Sequence, residues 1–307
     1  MENLNNQYTA MALEAVTKYG YAIRYISNPS EEIQLAAIQQ NEYSIQFITN
    51  PSEQVQLAAV KKDPLTIQYI GHPSEEVKLA AVKENGMILK CISYPSETLQ
   101  LAAVKQNAYA LTFIYKPEEE VQLEAVKQNG LIIKCIPNSS EEVELEAVKQ
   151  NRYAINYIKN PSKEVQLAAV HDGLTIRYIL NPPEEVKLAA VKQNGYALQY
   201  LTSEEMPSEE VQLAAVNQNE YSIQFIKNPS KEVQLAAVKQ SGCVIQYIKN
   251  PSEEAQLEAV AQNTYILQHI ANPSEEVQLA AIKQNRSIIR FIKDPSEKVK
   301  QAANKII

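Results

Sequence analysis

The hydrophobic and polar positions of this chain repeat with a period of 22 residues. When the proline that opens each period is counted as position 0, apolar residues recur at positions 4, 6, 8 and 9, as in Val55, Leu57, Ala59 and Val60. At about 100° per residue these positions form two flanks of an α-helix, which we name helix A. Two apolar flanks indicate a helix packed between two neighbours, because a surface helix of a globular domain shows one stripe.

The second half of each period is apolar at positions 14, 15, 16, 18 and 19, which leaves positions 17 and 20 as a polar stripe. This pattern predicts a second helix of about two turns, helix B, that is buried on most sides. Position 18 is an aromatic ladder that holds all four phenylalanines and several tyrosines. Cys91, Cys135 and His269 occupy the same position, so we expect them to be substitutions in the core.

The boundaries of helix A carry recognisable signals. Asn, Pro and Ser precede it and glutamates open it, which suits helix capping and the helix dipole. Lys, Gln and Asn close it, often before a glycine as in Asn85-Gly86, and this composition predicts a left-handed helix stop.

The period persists along the chain, with a deletion near His171 and an insertion near Ser203, Glu204 and Glu205. Such self-similarity predicts a stack, because one short unit cannot bury its apolar face alone. We expect an all-α, right-handed, HEAT-like α-solenoid of two-helix repeats, a single domain over 1–307. Residues 1–28 hold an N-terminal variant repeat, 29–294 twelve repeats, and 295–307 a capping half repeat in which Gln301 and Asn304 replace apolar residues.

Composition and charge limit the partners and the cellular location that we expect for the protein. A net charge of -7 argues against a general nucleic-acid binder, since phosphate binding relies on basic surfaces. No apolar run reaches the roughly 18 residues of a membrane helix, and no basic-then-apolar leader opens the chain. Three scattered cysteines do not form a disulfide framework. We therefore expect a cytoplasmic protein that has no membrane partner.

The repeat pattern NPSEEVQLAAVKQNGYAIQYI resembles a family of short bihelical repeats of unknown function that is rich in LAAVKQNG segments and common in protists, large viruses and bacteria. More distantly it is similar to HEAT-like and leucine-rich-variant solenoids. The resemblance covers nearly the whole chain and implies an α-superhelix. It brings no catalytic residues with it, because the family has none assigned.

No catalytic set stands out, because almost every polar residue recurs in each repeat as a structural element. The chain has no glycine-rich phosphate loop, zinc-ligand spacing or nucleophile elbow. His72, His171 and His269 lie at unrelated positions of the repeat. We predict that the protein is not an enzyme and has no catalytic, cofactor-binding or metal-binding residues.

Paired glutamates at positions 2 and 3 stack along one edge, which we name the acidic ridge. Complementation of the helix dipole accounts for them, and a basic partner or an imitated phosphate chain is the alternative. The ridge comprises Glu31, Glu32, Glu75, Glu76, Glu141, Glu142, Glu209, Glu210, Glu253, Glu254, Glu275 and Glu276.

The solvent positions of helix B, 17 and 20, carry cations and no Asp or Glu. We name them the helix B stripe; in HEAT-like solenoids this helix typically lines the concave surface. Dipole placement again competes with binding of an acidic or phosphorylated partner. The cations are Arg24, Lys90, Lys134, Lys159, Arg177, Lys227, Lys249, Arg290 and Lys293.

Three residues depart from the repeat around the Asn-Pro turn. Tyr94, Tyr115 and Lys116 replace the usual small or polar residues there. Tyrosine is enriched at protein interfaces, so we include all three as candidate partner-binding residues.

Three functions remain open. The first is a non-enzymatic scaffold or adaptor that binds proteins on a solenoid surface. The second is an inhibitor or sequestering protein, of viral anti-defence type, that wraps a nuclease or another nucleic-acid-handling protein with the acidic ridge. The third is direct nucleic-acid binding on the helix B stripe, which predicts affinity that falls steeply with salt.

Overall fold

A computed structural model describes residues 2–202 and 206–304, and within these ranges every regular element is helical. The insertion at 203–205 and the last three residues of the capping half repeat lie outside the described residues. The chain forms two compact units, Met1–Tyr157 and Ile158–Ile307. Within each unit the helix pairs stack in tandem on their neighbours, as an α-solenoid requires.

Each repeat joins an α-helix to a short 310 helix. The first unit contains α1 (Glu2–Lys18), η1 (Gly20–Tyr25), α2 (Glu31–Gln40), η2 (Glu42–Phe47), α3 (Glu53–Lys62), η3 (Pro64–Tyr69), α4 (Glu75–Glu84), η4 (Gly86–Cys91), α5 (Glu97–Gln106), η5 (Ala108–Phe113), α6 (Glu119–Gln128), η6 (Gly130–Cys135), α7 (Glu141–Gln150) and η7 (Arg152–Tyr157). The second contains α8 (Lys163–Ala169), η8 (Val170–Asp172), η9 (Leu174–Tyr178), α9 (Glu184–Gln193), η10 (Gly195–Tyr200), α10 (Glu209–Gln218), η11 (Glu220–Phe225), α11 (Lys231–Gln240), η12 (Gly242–Tyr247), α12 (Glu253–Gln262), η13 (Thr264–His269), α13 (Glu275–Gln284), η14 (Arg286–Phe291) and α14 (Glu297–Asn304).

Serine at position 1 starts each typical α-helix. In α3 the Ser52 hydroxyl accepts a hydrogen bond from the Val55 backbone N–H, which satisfies one of the donors left unpaired at a helix start. The proline lies before this cap and not inside the first turn. Below the cap, Val55, Ala59 and Val60 are fully buried, whereas Leu57 is only half-buried. The helix A core therefore consists of positions 4, 8 and 9, and position 6 borders solvent.

The second helix is 310 and not α-helical. In η4 the buried residues are Gly86, Ile88 and Leu89, and Ile92 follows them into the core. Because a 310 helix has three residues per turn, positions 16 and 19 share one face and point inward together, and position 15 is buried next to them. Position 18 lies beside that face, at the surface.

The predicted left-handed stop at Asn85 is wrong. Asn85 has an extended backbone (φ -150°), and its side-chain oxygen accepts from the Met87 N–H, so it caps the 310 helix that follows. The left-handed residue instead precedes the proline, as at Asn50 (φ 52°). Asparagine tolerates that region better than most residues because its short side chain bonds locally.

Glycine and glutamine join successive repeats. A side chain at Gly86 would collide with the Ala103 carbonyl oxygen of the next helix, so only glycine allows this approach. The Gly86 N–H donates to Gln106 Oε1 at 2.7 Å, and Gln106 Nε2 donates back to the Glu84 carbonyl at 3.4 Å. Gln106 thus satisfies the end of the preceding α-helix as well as the start of its 310 helix.

The terminal helix α14 has the polar pattern that the sequence predicts. Val299 is fully buried, while Gln301 and Asn304 are exposed. These two residues stand where interior repeats carry apolar side chains.

Candidate interaction surfaces

The aromatic ladder is a surface feature and not part of the core, which corrects the sequence-based expectation. Tyr69 is 43% exposed and Phe113 40% exposed, and Cys91, Cys135 and His269 are exposed as well. The physical reason is that positions 15, 16 and 19 fill the buried side of the 310 helix, so the bulky side chain of position 18 is only partly covered.

The ladder rings are held by rings from the preceding repeat. Tyr21 meets Phe47 edge to face, with ring centroids 5.4 Å apart, and Tyr43 meets Tyr69 at 6.0 Å. Both distances lie in the range of favourable aromatic pairs, which contribute about 0.5–1.5 kcal/mol beyond area burial. In the second unit the same pairing joins Tyr196 with Phe225, Tyr221 with Tyr247, and Tyr265 with Phe291.

The sequence interpretation missed the contribution of position 14. The pattern predicts that position 14 is buried in helix B. In the pairs named above, its tyrosine is instead the ring that meets position 18 of the next repeat. The recurrence of tyrosine four residues before the ladder was a usable signal, because position 14 of one repeat and position 18 of the next are both aromatic.

The cations of the helix B stripe all lie on the surface, and three arginines among them contact aromatic rings. The Arg24 guanidinium carbon lies 4.7 Å from the Phe47 centroid and 5.5 Å from that of Tyr25. Arg290 lies 4.7 Å from the ring of Phe291. These are cation–π distances, so the aromatic side chains orient the cations outward.

We name positions 14, 17, 18 and 20 together the 310 face. None of these positions carries Asp or Glu in any repeat. The nearest carboxylates are already occupied: Glu42 pairs with Lys62 at 3.3 Å, and Asp63 accepts a hydrogen bond from the Tyr43 hydroxyl. That bond raises the pKa of Tyr43 to about 12. These four positions therefore present hydrogen-bond donors but no carboxylate acceptor of their own.

The remaining cations fall into two groups. Arg177 donates to the Tyr178 hydroxyl at 2.7 Å, which raises the pKa of Arg177 further. The other six cations are exposed and show no cation–π contact among the described residues: Lys90, Lys134, Lys159, Lys227, Lys249 and Lys293.

The acidic ridge has a structural role that the sequence did not reveal. Ser52 Oγ donates to Glu31 Oε1 of the preceding repeat at 2.7 Å, and Ser296 donates to Glu275 at 2.6 Å. The same serine caps its own α-helix, so one hydroxyl serves two repeats. Equivalent bonds join Ser74 to Glu53, Ser96 to Glu75, Ser140 to Glu119, Ser208 to Glu184, Ser230 to Glu209 and Ser274 to Glu253.

Both glutamate positions of the ridge are exposed, and they differ in their hydrogen bonds. The carboxylates at position 2 accept serine bonds, whereas those at position 3 point outward, and the position 3 set comprises Glu32, Glu76, Glu142, Glu210, Glu254 and Glu276. Lys231 approaches Glu254 at 3.9 Å, which partly neutralises one of them.

The glutamines at positions 5 and 17 bond to backbone carbonyls of their own repeat. At position 5, Gln56 Nε2 donates to the Pro51 carbonyl of its own repeat at 2.9 Å. At position 17, Gln46 donates to the Tyr43 carbonyl at 2.9 Å and remains exposed.

Tyr94, Tyr115 and Lys116 form an exposed pair of turns. Tyr94 is completely exposed and has a left-handed backbone (φ 51°), and Tyr115 is 87% exposed. Lys116 is left-handed too (φ 49°), with its Nζ 5.4 Å from the Tyr115 centroid. Bulky residues are uncommon in this conformation, so these turns sacrifice some stability.

The α-helical side carries a shallow groove between α4 and α5. It encloses about 550 Å³ and is lined by Leu79, Leu101 and Ala102, with Lys83 and Lys105 at its edges. The half-buried leucines of position 6 form its floor.

The described residues contain no helix with the length and apolarity needed to cross a membrane. Across the same part of the chain, no group of His, Cys, Asp and Glu has the arrangement of a metal site.

Comparison with known proteins gives one family match. The model of a domain of unknown function, DUF4116, matches residues 118–161, a stretch of 44 residues and thus twice the repeat period. No curated protein and no solved structure matches the chain.

Proposed function

We propose that this protein is a non-enzymatic scaffold that binds protein partners on its 310 face. The observation that carries the proposal is the set of half-exposed, interlocked aromatic pairs, such as Tyr43 with Tyr69, on positions that carry no Asp or Glu in any repeat. Tyrosine and arginine dominate binding energy at protein interfaces, and pre-oriented rings lose little entropy on binding.

The repeat itself supports a scaffold over the whole chain. Residues 118–161 match DUF4116, and the pattern of this stretch recurs along the rest of the sequence. We infer that the other repeats belong to the same type and present the same face. The three free cysteines support a reducing, cytoplasmic location.

The inhibitor function ranks second. It needs the acidic ridge to meet a basic partner, and the carboxylates at position 2 would have to do so while they also accept the serine bonds between repeats. Nucleic-acid binding ranks third, because cations on the 310 face number about one per repeat and phosphate chains require denser positive charge.

Affinity capture from source-cell lysate with three forms of the full chain separates these functions. The face variant combines Arg24→Gln, Tyr69→Ser and Lys90→Gln. The ridge variant combines Glu32→Gln, Glu76→Gln and Glu142→Gln, and thus alters the same number of residues while keeping the serine bonds.

The scaffold predicts proteins that the wild type and the ridge variant retain and the face variant loses. Loss of a basic nuclease from the ridge variant alone would establish the inhibitor function instead. Recovery of the same proteins by all three forms would refute the proposed face. A low-salt mobility shift with single-stranded and duplex DNA tests the third function.

A further inference from the structure

The 310 face has the chemistry of a surface that receives proline. It offers aromatic planes in pairs, as at Tyr21 with Phe47 and Tyr43 with Tyr69. Proline-rich segments dock on such aromatic-lined surfaces, because they form a stiff polyproline II helix before binding and so lose little entropy. The ring pairs of adjacent repeats would border successive slots for the proline rings.

The hydrogen-bond donors of the 310 face also favour a proline-rich ligand. Positions 17 in η2 and η3 are Gln46 and Gln68, both exposed, and Arg24 precedes them in η1. Gln46 uses one amide N–H on the Tyr43 carbonyl, which leaves another for a ligand. A proline-rich chain presents carbonyl acceptors but lacks proline N–H donors. A donor-rich face without carboxylates is its complement.

The spacing of the repeats favours one backbone conformation. Helices packed side by side lie about 8–10 Å apart, which sets the step from one slot to the next. A polyproline II helix advances about 9 Å in three residues and completes one turn over that length. Every third residue therefore faces the surface in the same orientation. A β-strand alternates its sides every residue, so three residues would reverse the side chain.

The side chains at position 17 of the 310 face favour an acidic residue at every third position of the ligand. Across the first three repeats, position 17 holds Arg24, Gln46 and Gln68, all exposed, which offer one cation and two amide donors, and further cations of the first unit follow at this position only at Lys90 and Lys134. An acidic side chain in the ligand would meet them without repulsion from the face itself.

We propose that the 310 face of the first unit binds an extended proline-rich segment of a partner protein that carries acidic residues with a period of three. This inference rests on the proposed scaffold function and names its partner class. About nine ligand residues would span three repeats.

Fluorescence anisotropy with the full chain tests the inference. The probe is a labelled peptide of four Pro-Pro-Glu triplets. A first control scrambles its order so that the period of three is lost. A second control contains four Gly-Gly-Glu triplets, which keep the charge and its spacing and remove the polyproline II conformation. Labelled oligothymidine tests for a nucleic-acid ligand.

We expect the Pro-Pro-Glu peptide to bind at least tenfold more tightly than either control peptide. Phe47→Ser should weaken that binding about tenfold, and Arg24→Gln about threefold. Glu32→Gln, on the acidic ridge, should leave it unchanged. Arg24→Gln keeps the test decisive if Phe47→Ser does not fold, because Arg24 is exposed.

Equal binding of the Gly-Gly-Glu peptide would show that charge alone accounts for the interaction, and this result would overturn the inference. So would tighter binding of oligothymidine, or unchanged affinity in both face variants with native circular dichroism. The scaffold function is judged separately. Peptides selected from a random display library that need Phe47 but lack proline would refute the ligand class and preserve the scaffold, whereas no Phe47-dependent peptide would count against both.

Discussion

The acidic ridge and the 310 face each recur once per repeat, yet their side chains serve different purposes. On the ridge, Glu31 accepts a bond from the cap serine of the next repeat, so its charge is engaged in holding the stack. On the 310 face, Tyr25 is 81% exposed, and the Arg24 guanidinium carbon lies 5.5 Å from its ring centroid. Of the two surfaces, the acidic ridge carries more charge and also contributes more to holding the repeats together.

The largest expected effect comes from Ser52, whose hydroxyl caps its own α-helix and also bonds to the preceding repeat. Ser52→Ala removes the cap on the Val55 N–H and the 2.7 Å bond to Glu31. We expect a loss of about 1–2 kcal/mol in the free energy of unfolding, since a cap alone contributes about 1 kcal/mol. Denaturant titration followed by circular dichroism measures it.

The matched substitution on the other surface is Tyr25→Ala. Because this side chain is mostly in solvent, the change should cost less than about 0.5 kcal/mol. Similar losses in the two variants would erase the distinction between a structural ridge and a free face.

A gain of stability is expected at the exposed turn between η4 and α5. Tyr94→Asn places the usual residue at a left-handed backbone (φ 51°) and should raise the free energy of unfolding by about 1 kcal/mol. The reverse change, Asn50→Tyr at φ 52°, should lower it by a similar amount. Thermal melts of the two variants check the pair, and a loss on Tyr94→Asn would show that the tyrosine stabilises its own turn.

The sequence predicted the stack because its signals are local and repeated. Val55, Ala59 and Val60 follow helical spacing, and Ser52 precedes glutamate as a cap does. It misplaced the ladder because positions 16, 18 and 19 are mostly apolar, so hydrophobicity alone did not show which of them is exposed. The 310 period alone does not expose position 18 either, because position 15 lies on the same side of the helix and is buried, as at Ile88.

The bond from Ser52 to Glu31 was beyond sequence reasoning for a different reason. It joins two repeats, and its existence depends on how far one helix is shifted along the next. Helix-dipole complementation explained the glutamates at positions 2 and 3 equally, and only the stacking separates them.

The stability of the fold in acid should distinguish position 2 of the acidic ridge from position 3. Ser296 and then Lys298 hold the pKa of Glu275 below its ordinary value, whereas Glu276 lies beside it in the same first turn. A carboxyl with a lowered pKa stabilises the fold above its ordinary pKa of 4.5 and loses that contribution as pH falls through the lowered value. Stability should thus decline with acid from about pH 4.5 downward.

Glu275→Gln should flatten this decline, and Glu276→Gln should not. The effect is smaller than that of Ser52→Ala, because an exposed carboxylate is screened by solvent. Melting temperatures of both variants between pH 6 and pH 3 measure it, with pH chosen to bracket ordinary glutamate titration. Identical profiles would mean that the serine bond does not single out position 2.

The smallest effect concerns one hydroxyl on the 310 face. Tyr43 donates to Asp63, and this bond raises the tyrosine pKa to about 12 from an ordinary value of 10.0. Folding with a raised pKa stabilises the chain below pH 10, and that contribution disappears as pH rises toward 12. Ultraviolet titration of tyrosinate should therefore show a late component that Tyr43→Phe removes. Asp63→Asn should move the component to lower pH while the ring pair with Tyr69 persists, because the negative charge is gone and the aromatic contact is not. A late component that survives both substitutions would assign it to another tyrosine and leave the face with one more free hydroxyl donor.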